Sequence, residues 1–449
     1  MKILLINPYI YDVSAYGFWS APLGLLYMGS IMRMNGADVR LLDCLRVDDS
    51  KGRPDGRAPF LKKKVENPSV VRGVGKRFRR YGLSPEEVSR ELRAMEEPDL
   101  VMITCIMTYW YLGAREIIDL VKDAFPTAKI VVGGNYATLC YEHAVREMRH
   151  ADLVVRSFEA ERFYRWVQEK CNFPLAAKLD PMDLTNLPYP CFDLYGRCRF
   201  VPLLTSVGCV YRCSYCATAY LQPKMIRRET TDVIEEIRHW HGLGIERFVL
   251  YDDGFLFQKE SHAKPLLRGI RELPFEISVY NPNALNATMV DRETAALLKE
   301  GGFREVRLGF ETSDPGLQKR TGGKVRTEDL ERAVDWLWRA GFVGSQVVVY
   351  VLTGLPGQRH EGVRATIDYL QGLGVRVHLA QYSPIPHSRL YDEHRGEARF
   401  PISEPMFQNN ALFPFEWEGF TEGDLNALKQ LVREYNGGIG DGEGDEREE

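Results

Sequence analysis

Three cysteines stand close together in the stretch "TSVGCVYRCSYCATAY", which covers residues 205–220. Cys209, Cys213 and Cys216 leave gaps of three and two residues. Thiolates are soft ligands that favour zinc, copper(I) or iron–sulfur clusters. The first residues, "MKILLINPYI", form too short an apolar run for a secretory signal. We therefore expect a reducing, cytoplasmic setting, in which clustered thiols favour metal binding over a disulfide framework.

The triplet has no obvious fourth protein ligand. A structural zinc site normally closes its shell with four protein ligands. The nearest following histidine is His239, which lies inside a predicted helix. Three thiolates without a fourth fit a 4Fe–4S cluster with one iron left open for a small molecule. A zinc site and incidental buried cysteines are the alternatives at this point.

The elements around the triplet predict a partial barrel. Six runs of strand-like residues alternate with predicted helices, and Cys209 directly follows the first run. This alternation predicts an incomplete (β/α)6 TIM barrel, with functional residues at the C-terminal ends of the strands. The six runs cover residues 200–208, 247–253, 275–281, 305–311, 345–352 and 376–383.

The preceding part of the chain predicts a separate α/β domain. Its short apolar runs look like strands buried on both faces, and helical patterns such as residues 112–125 separate several of them. This arrangement is typical of a doubly wound, Rossmann-like parallel sheet. The runs cover residues 2–8, 37–43, 99–105, 128–134 and 151–157.

We accordingly divide the chain into five parts. A Rossmann-like domain covers residues 1–170, a proline-rich linker 171–198 and the barrel 199–392. A C-terminal capping segment (393–436) and a disordered acidic tail (437–449) follow. The basic residues between positions 51 and 80 are expected to form a solvated loop, with a lid or a partner-docking segment as alternatives.

The composition narrows the function classes. The chain has 449 residues, of which 45% are apolar and 27% charged, an ordinary globular mixture. A net charge of −4 implies no general affinity for nucleic acid or acidic membranes. No apolar run approaches the roughly 20 residues of a membrane span. We expect a small-molecule substrate and neither nucleic-acid nor membrane partners.

The triplet resembles the signature of the radical S-adenosylmethionine (SAM) enzymes, Cys-x3-Cys-x-aromatic-Cys, with Tyr215 at the aromatic position. The resemblance implies a 4Fe–4S cluster on Cys209, Cys213 and Cys216 whose open iron binds SAM. It also implies an electron donor such as flavodoxin or ferredoxin, reductive cleavage of SAM and a 5′-deoxyadenosyl radical that abstracts a substrate hydrogen.

The same family resemblance extends to the later strand ends. "YDDGF" (251–255) stands where the family usually has a Gly-Gly-Glu-like motif, although the glycines are absent here. "LGFETSD" (308–314) and "VLTGLPGQ" (351–358) end the fourth and fifth strands. The residues implied in SAM binding are Tyr215, Asp252, Asp253, Glu311, Ser313, Gly354 and Gly357. His387, in the "YSPIPHS" stretch, is expected near the cavity mouth, with a structural role as the alternative.

Residues 21–43 and 130–139 resemble the cobalamin-binding domain that precedes the barrel in one radical SAM subfamily. The resemblance places the cobalamin tail along Gly133, Gly134 and Thr138. The Asp-x-His-x-x-Gly motif, which supplies a lower-face ligand in many cobalamin domains, is missing, and the first histidine is His143. We therefore expect a cobalamin site without a protein histidine on cobalt.

The resemblance favours a cobalamin-dependent radical SAM enzyme that methylates an unreactive carbon. In that scheme one SAM methylates cobalt(I), a second generates the radical, and the substrate radical takes the methyl group. One alternative is a methylthiotransferase-like enzyme with a second cluster on Cys44, Cys105 and Cys140, which all lie at or just beyond the C-terminal ends of predicted strands of the first domain. Another is a cobalamin or iron–sulfur sensor without catalytic activity.

Overall fold

The computed structural model describes residues 1–439, which form two compact units. Unit 1 comprises Met1–Gly52, Arg57–Cys198 and Pro401–Leu412. Unit 2 comprises Arg53–Gly56, Arg199–Phe400 and the chain from Phe413 onward. The sequence predicts one capping segment over residues 393–436. In the structure, residues 401–412 belong to unit 1 and the flanking residues to unit 2.

Unit 1 is built on a parallel sheet with the strand order β3-β1-β6-β7-β8. This confirms the predicted doubly wound parallel sheet. The strands of the unit are β1 (Lys2–Asn7), β2 (Ile10–Asp12), β3 (Asp38–Asp43), β4 (Lys62–Lys64), β5 (Arg79–Tyr81), β6 (Leu100–Thr104), β7 (Lys129–Gly133) and β8 (Leu153–Val154). The helices are α1 (Leu23–Met34), α2 (Pro85–Arg93), α3 (Tyr111–Ala124), α4 (Asn135–Leu139), α5 (Tyr141–Glu147) and α6 (Ala160–Lys170).

The basic stretch is more ordered than the expected solvated loop. β2, β5 and β4 form a second, antiparallel sheet. Arg57 is buried, with its guanidinium carbon 4.5 Å from the ring centroid of Trp19, and Arg80 is buried as well. The three lysines of β4 are exposed. Periodicity missed this sheet because its strands are short and carry charged residues.

The predicted linker packs on unit 1. The hydroxyl of Tyr195 donates to Asp43 Oδ2 at 2.7 Å, and the hydroxyl of Ser30 donates to the carbonyl of Tyr189 at 2.7 Å. These contacts attach residues 189–195 to the C-terminal end of β3 and to α1.

Unit 2 contains the six predicted barrel strands and one short additional strand, β14, all parallel, in two arcs. The first has the order β13-β12-β9 and the second the order β14-β15-β16-β17. A parallel bridge between Val279 and Phe303 joins the arcs. The strands are β9 (Val201–Leu203), β10 (Ser206–Val207), β11 (Ile226–Arg227), β12 (Arg247–Leu250), β13 (Ser278–Tyr280), β14 (Leu285–Asn286), β15 (Val306–Glu311), β16 (Val347–Thr353) and β17 (Arg376–Gln381).

Helices follow or connect most of these strands, as the βα alternation predicts. They are α7 (Thr218–Leu221), α8 (Thr230–Gly242), α9 (Ala263–Arg271), α10 (Arg292–Glu300), α11 (Pro315–Thr321), α12 (Thr327–Arg339), α13 (His360–Leu373), α14 (Arg389–His394) and α15 (Glu422–Gly438). Residues 437 and 438, which we expected to be disordered, belong to α15. Ile439 caps that helix, and the rest of the predicted tail, from residue 440, lies outside the described residues.

None of the helices in residues 1–439 combines the length and apolar character that crossing a membrane requires.

Candidate active site

The cysteine triplet lies on a loop whose ends are joined by antiparallel pairing of β10 with β11. Cys209, Cys213 and Cys216 are half-buried and line a cavity of about 390 Å³. Within residues 1–439, no set of His, Cys, Asp and Glu side chains forms a single-ion metal site. Three accessible soft donors on one cavity wall fit a cluster that several thiolates share.

Lys324 faces the same cavity, and the sequence did not indicate it. Its ammonium nitrogen lies 3.0 Å from Glu311 Oε1 and donates to the hydroxyl of Tyr215 at 3.3 Å. The Tyr215 hydroxyl in turn donates to Glu311 Oε1 at 2.7 Å. The predicted residues Tyr215 and Glu311 therefore meet at one cation. Lys324 lies in a loop between α11 and α12, outside any strand end, so no strand motif could reveal it.

A close backbone approach places this loop against the cysteines. Gly322 has φ +136°, and a Cβ there would lie 3.3 Å from Cys213 Cα and 3.4 Å from its Sγ. The amide of Ser214 also donates to the carbonyl of Thr321 at 3.2 Å. Only glycine provides both this conformation and this clearance.

Of the charged side chains around Cys213, Lys324 opposes the effect of burial on the thiol pKa, whereas Glu311 adds to it. Burial raises the pKa of the Cys213 thiol, whereas Lys324 lowers it. Burial lowers the pKa of Lys324, but Glu311 and Cys213 outweigh that effect and raise it. Lys324 therefore stays charged, and a neighbouring cation favours the thiolate that a metal requires.

Asp252 lies behind the cysteine loop rather than on the cavity wall. Its carboxylate accepts hydrogen bonds from the amide and hydroxyl of Thr205, the latter at 2.6 Å, and from the hydroxyl of Ser206 at 2.5 Å. Burial raises the pKa of Asp252 to about 6, although these hydrogen bonds lower it. The carboxylate thus fixes the chain just before the triplet.

His262 extends this buried network. Its Nε2 lies 2.9 Å from the hydroxyl of Thr205. Because that hydroxyl already donates to Asp252, Nε2 is assigned as the donor, in a neutral ring. Burial, with a smaller contribution from Arg227, lowers the pKa of His262 to about 4.

The other predicted SAM residues are distributed unevenly. Asp253 lines the cavity and accepts from the amide of Gly208 at 3.1 Å. Ser313 bonds Thr366 through both its amide and its hydroxyl, at 3.0 and 2.9 Å. Gly354 and Gly357 have φ +79° and +70° but do not line this cavity. Their roles in SAM binding stay predictions.

His387, expected near the cavity mouth, stacks on Tyr220 with ring centroids 3.7 Å apart and has φ +66°. It is not among the residues that line the cavity.

Two further polar side chains line the cavity, Asn283 and Asn286, and the sequence did not indicate either. Within residues 1–439, Asn286 Nδ2 is a buried donor without an acceptor. A buried donor in this position fits a polar ligand such as SAM.

The predicted cobalamin loop of unit 1 is tightly built. Gly134 has φ +95°, and a Cβ there would lie 2.6 Å from the carbonyl oxygen of Cys105. A Cβ on Gly133 would meet no atom closer than 3.8 Å, so this backbone stays accessible. The hydroxyl of Thr138 donates to the carbonyl of Gly134 at 2.9 Å and accepts from the amide of Ser157 at 3.0 Å. The open backbone at Gly133 fits an extended cofactor tail, and Thr138 braces the loop.

The three cysteines of the methylthiotransferase alternative are buried or half-buried in unit 1. Cys44 and Cys105 are buried, and the amide of Leu83 pairs with the carbonyl of Cys44. Burial raises the pKa of Cys140 to about 12, and it raises the pKa of Cys44 and Cys105 as well. Buried, protonated thiols behave as small apolar side chains.

Comparisons with known protein families match a different family model to each of the two units. Residues 203–370 match the model of the radical SAM superfamily, and residues 75–163 match that of the B12 binding domain. The chain is a radical SAM enzyme with a cobalamin-binding domain. The cofactors of such an enzyme are a 4Fe–4S cluster, SAM and cobalamin.

Individual relatives span nearly the whole chain. Cytidylyl-2-hydroxyethylphosphonate methyltransferase of Streptomyces wedmorensis is 23% identical and aligns over 97% of this chain and 90% of its own. The methyltransferase TsrM from Kitasatospora setae, solved with cobalamin and a 4Fe–4S cluster, has a TM-score of 0.66 at 19% identity, covering 98% of this chain and 89% of its own. The radical SAM enzyme OxsB has a TM-score of 0.59 at 13% identity, covering 96% of this chain and 61% of its own. At these identities the solved structures show a shared fold.

Proposed function

We propose that the protein is a cobalamin-dependent methyltransferase that uses SAM to methylate a carbon atom of a small molecule. The observation that carries the proposal is the combination of two constellations in one chain. Unit 2 has the three cysteines beside Lys324, and unit 1 has the glycine loop at the edge of its parallel sheet. The nearly full-length likeness to a methyltransferase supports it.

The residues of unit 2 are suited to hold charged reactants in a site sheltered from water. When bound, the cluster and SAM supply radical chemistry and cobalamin supplies a methyl carrier. Lys324 provides a cation, and Asp253, Asn283 and Asn286 provide polar groups around the cavity. Phe255, Leu256 and Phe257 form an apolar part of the wall, which helps to exclude water from reactive species.

The experiment does not require the substrate. Anaerobically reconstituted protein receives cobalamin, a low-potential reductant and SAM with a deuterated methyl group. We expect about four irons and one cobalamin per chain, and mass spectrometry should find the deuterated methyl group on the recovered cobalamin. Protein that keeps iron and cobalamin but never transfers the label would contradict methyl transfer.

The electron donor is part of the same proposal. We infer that a cytoplasmic flavodoxin or ferredoxin reduces the cluster, because reductive cleavage of SAM needs one electron. Replacing the chemical reductant by reduced flavodoxin should sustain 5′-deoxyadenosine formation. Failure with both flavodoxin and ferredoxin would refute this choice of donor.

A further inference from the structure

Residues 401–412 belong to unit 1, although they follow the barrel in the sequence. Two of their side chains bond polar groups beyond the C-terminal ends of the sheet strands. Asn409 Nδ2 donates to Asp12 Oδ1 at 2.8 Å, and Glu404 Oε2 lies 3.2 Å from His143 Nε2. Asn409 is buried and Glu404 is mostly buried, so both contacts are part of the packed domain.

The Asn409 contact lies at the point where the strand order reverses. β3 lies on one side of β1 and β6 on the other, so the crevice at which open parallel sheets bind ligands falls between β1 and β6. Asp12 follows β1, and Trp110 follows β6. The indole nitrogen of Trp110 donates to Asp12 Oδ2 at 2.7 Å. Asp12 therefore joins the two loops that flank the crevice, and Asn409 stabilises its carboxylate.

The Glu404 contact reaches the third loop. His143 Nδ1 lies 2.7 Å from the hydroxyl of Tyr136, which belongs to α4 immediately after the glycine loop. Glu404 thus braces the helix that begins at the predicted cobalamin loop. One short segment from the end of the chain fixes the loops after β1, β6 and β7.

We propose that residues 401–412 complete the cobalamin site of unit 1, with Asn409 and Glu404 as positioning residues. This inference rests on the proposed function, which assigns cobalamin to this edge of the sheet. Asp12 is a buried carboxylate that accepts hydrogen bonds from the indole of Trp110, the side-chain amide of Asn409 and the backbone amide of Ser14. A buried charge that loses a donor is costly, so the crevice loops should rearrange when Asn409 cannot donate.

The test measures cobalamin affinity in the full-length protein by absorbance titration with hydroxocobalamin. Asn409→Asp places a carboxylate against Asp12 and should weaken cobalamin binding by about tenfold or more. Exchanging the pair, in the double variant Asp12→Asn/Asn409→Asp, restores the hydrogen bond between the two side chains with reversed roles but loses the bond from the Ser14 amide to Asp12 Oδ1. The double variant should therefore recover part of the affinity. Iron content should not change in either protein.

The matched control is Asn35→Ala. Asn35 also donates from a side-chain amide inside unit 1, to the carbonyls of Ile31 and Ala177, but it lies between α1 and the start of β3, at the opposite edge of the sheet. This variant should keep its cobalamin affinity. If Asn35→Ala loses as much cobalamin affinity as Asn409→Asp, the effect is general destabilisation of unit 1 and the inference is wrong.

Glu404→Ala tests the second contact if Asn409→Asp does not fold, and it should also weaken cobalamin binding. Wild-type affinity in Glu404→Ala, or in folded Asn409→Asp, would overturn the inference. Wild-type protein that takes up no cobalamin would instead refute the proposed function.

Discussion

The ammonium nitrogen of Lys324 lies 3.0 Å from Oε1 of Glu311, beside the cysteine loop. Both side chains are largely buried, with 22% and 13% of their surfaces exposed. Removing one member of such a pair leaves an uncompensated charge at the cavity wall. The pair thus sets the charge that a ligand next to the cysteines meets.

We expect Glu311→Ala and Lys324→Ala each to weaken SAM binding by about tenfold, because each leaves a partly buried charge unpaired. The double variant should lose no more SAM affinity than the single variant that binds SAM more weakly, since the two residues act as a pair. Anaerobic equilibrium binding of SAM measures the affinity, and iron content should stay constant. Asp368→Ala, which breaks an exposed ion pair with Arg364, is the control. Unaltered affinity in Glu311→Ala would remove that residue from the site.

The cysteine triplet should be indispensable for the cluster. Replacing Cys209, Cys213 and Cys216 together by alanine removes all the expected thiolate ligands, so the protein should hold no cluster and cleave no SAM. Iron analysis and a 5′-deoxyadenosine assay under reductant measure both effects. SAM-dependent 5′-deoxyadenosine formation by the triple variant would disprove the assignment of these ligands.

Gly322→Ala should lower the iron content, because the new methyl group lies within 3.4 Å of Cys213 Cα and Sγ in a left-handed conformation. Gly323 supplies a matched control. It also has a positive φ, +61°, but a Cβ there meets no atom within 4 Å. Gly323→Asn should reconstitute with normal iron, because asparagine tolerates this conformation. Equal iron in both variants would argue against the close approach at Gly322.

His262 should reduce stability at acid pH. Its folded pKa of about 4 lies below its ordinary value of 6.5, so the unfolded chain binds the proton more tightly. The contribution of neutral His262 to the free energy of unfolding is complete above pH 6.5 and is lost as the pH falls towards 4. The loss amounts to about 3 kcal/mol, at 1.4 kcal/mol per pKa unit. The raised pKa of Asp252 acts with the opposite sign between about pH 4 and 6.

The comparison of wild type with His262→Gln therefore isolates the histidine, since both proteins contain Asp252. Equilibrium unfolding at pH 7 and pH 4.5 should show a smaller acid-induced loss in the variant. Parallel pH profiles for the two proteins would contradict the lowered pKa of His262.

Cobalamin should bind without a protein nitrogen on cobalt. The first histidine of the chain, His143, bonds Tyr136 and Glu404 through its two ring nitrogens. Electron paramagnetic resonance of the cobalt(II) form should therefore lack nitrogen superhyperfine splitting. The variant His143→Phe has no ring nitrogens at this position. The spectrum of the cobalamin that it still binds should match that of the wild type. Splitting in the wild type would reveal a histidine or the cofactor's own base as ligand.

Sequence patterns alone predicted the two α/β architectures and indicated the cysteine triplet as a cluster site. Buried parallel strands read as continuous apolar runs, and three thiols within one loop are a local pattern. Tyr215 and Glu311 were accessible to the same reasoning because they stand in or beside motifs at strand ends.

The distant side chains that meet these motifs became visible in the folded chain. Lys324 reaches the cavity from a loop and Asn286 from the short strand β14, and neither element carries a motif. Asp252 bonds Thr205 and Ser206 instead of lining the cavity. Residues 401–412 joined unit 1 through Asn409 and Glu404. Periodicity reports which face of an element is buried, whereas such contacts depend on how the chain closes over long separations, which no local pattern encodes.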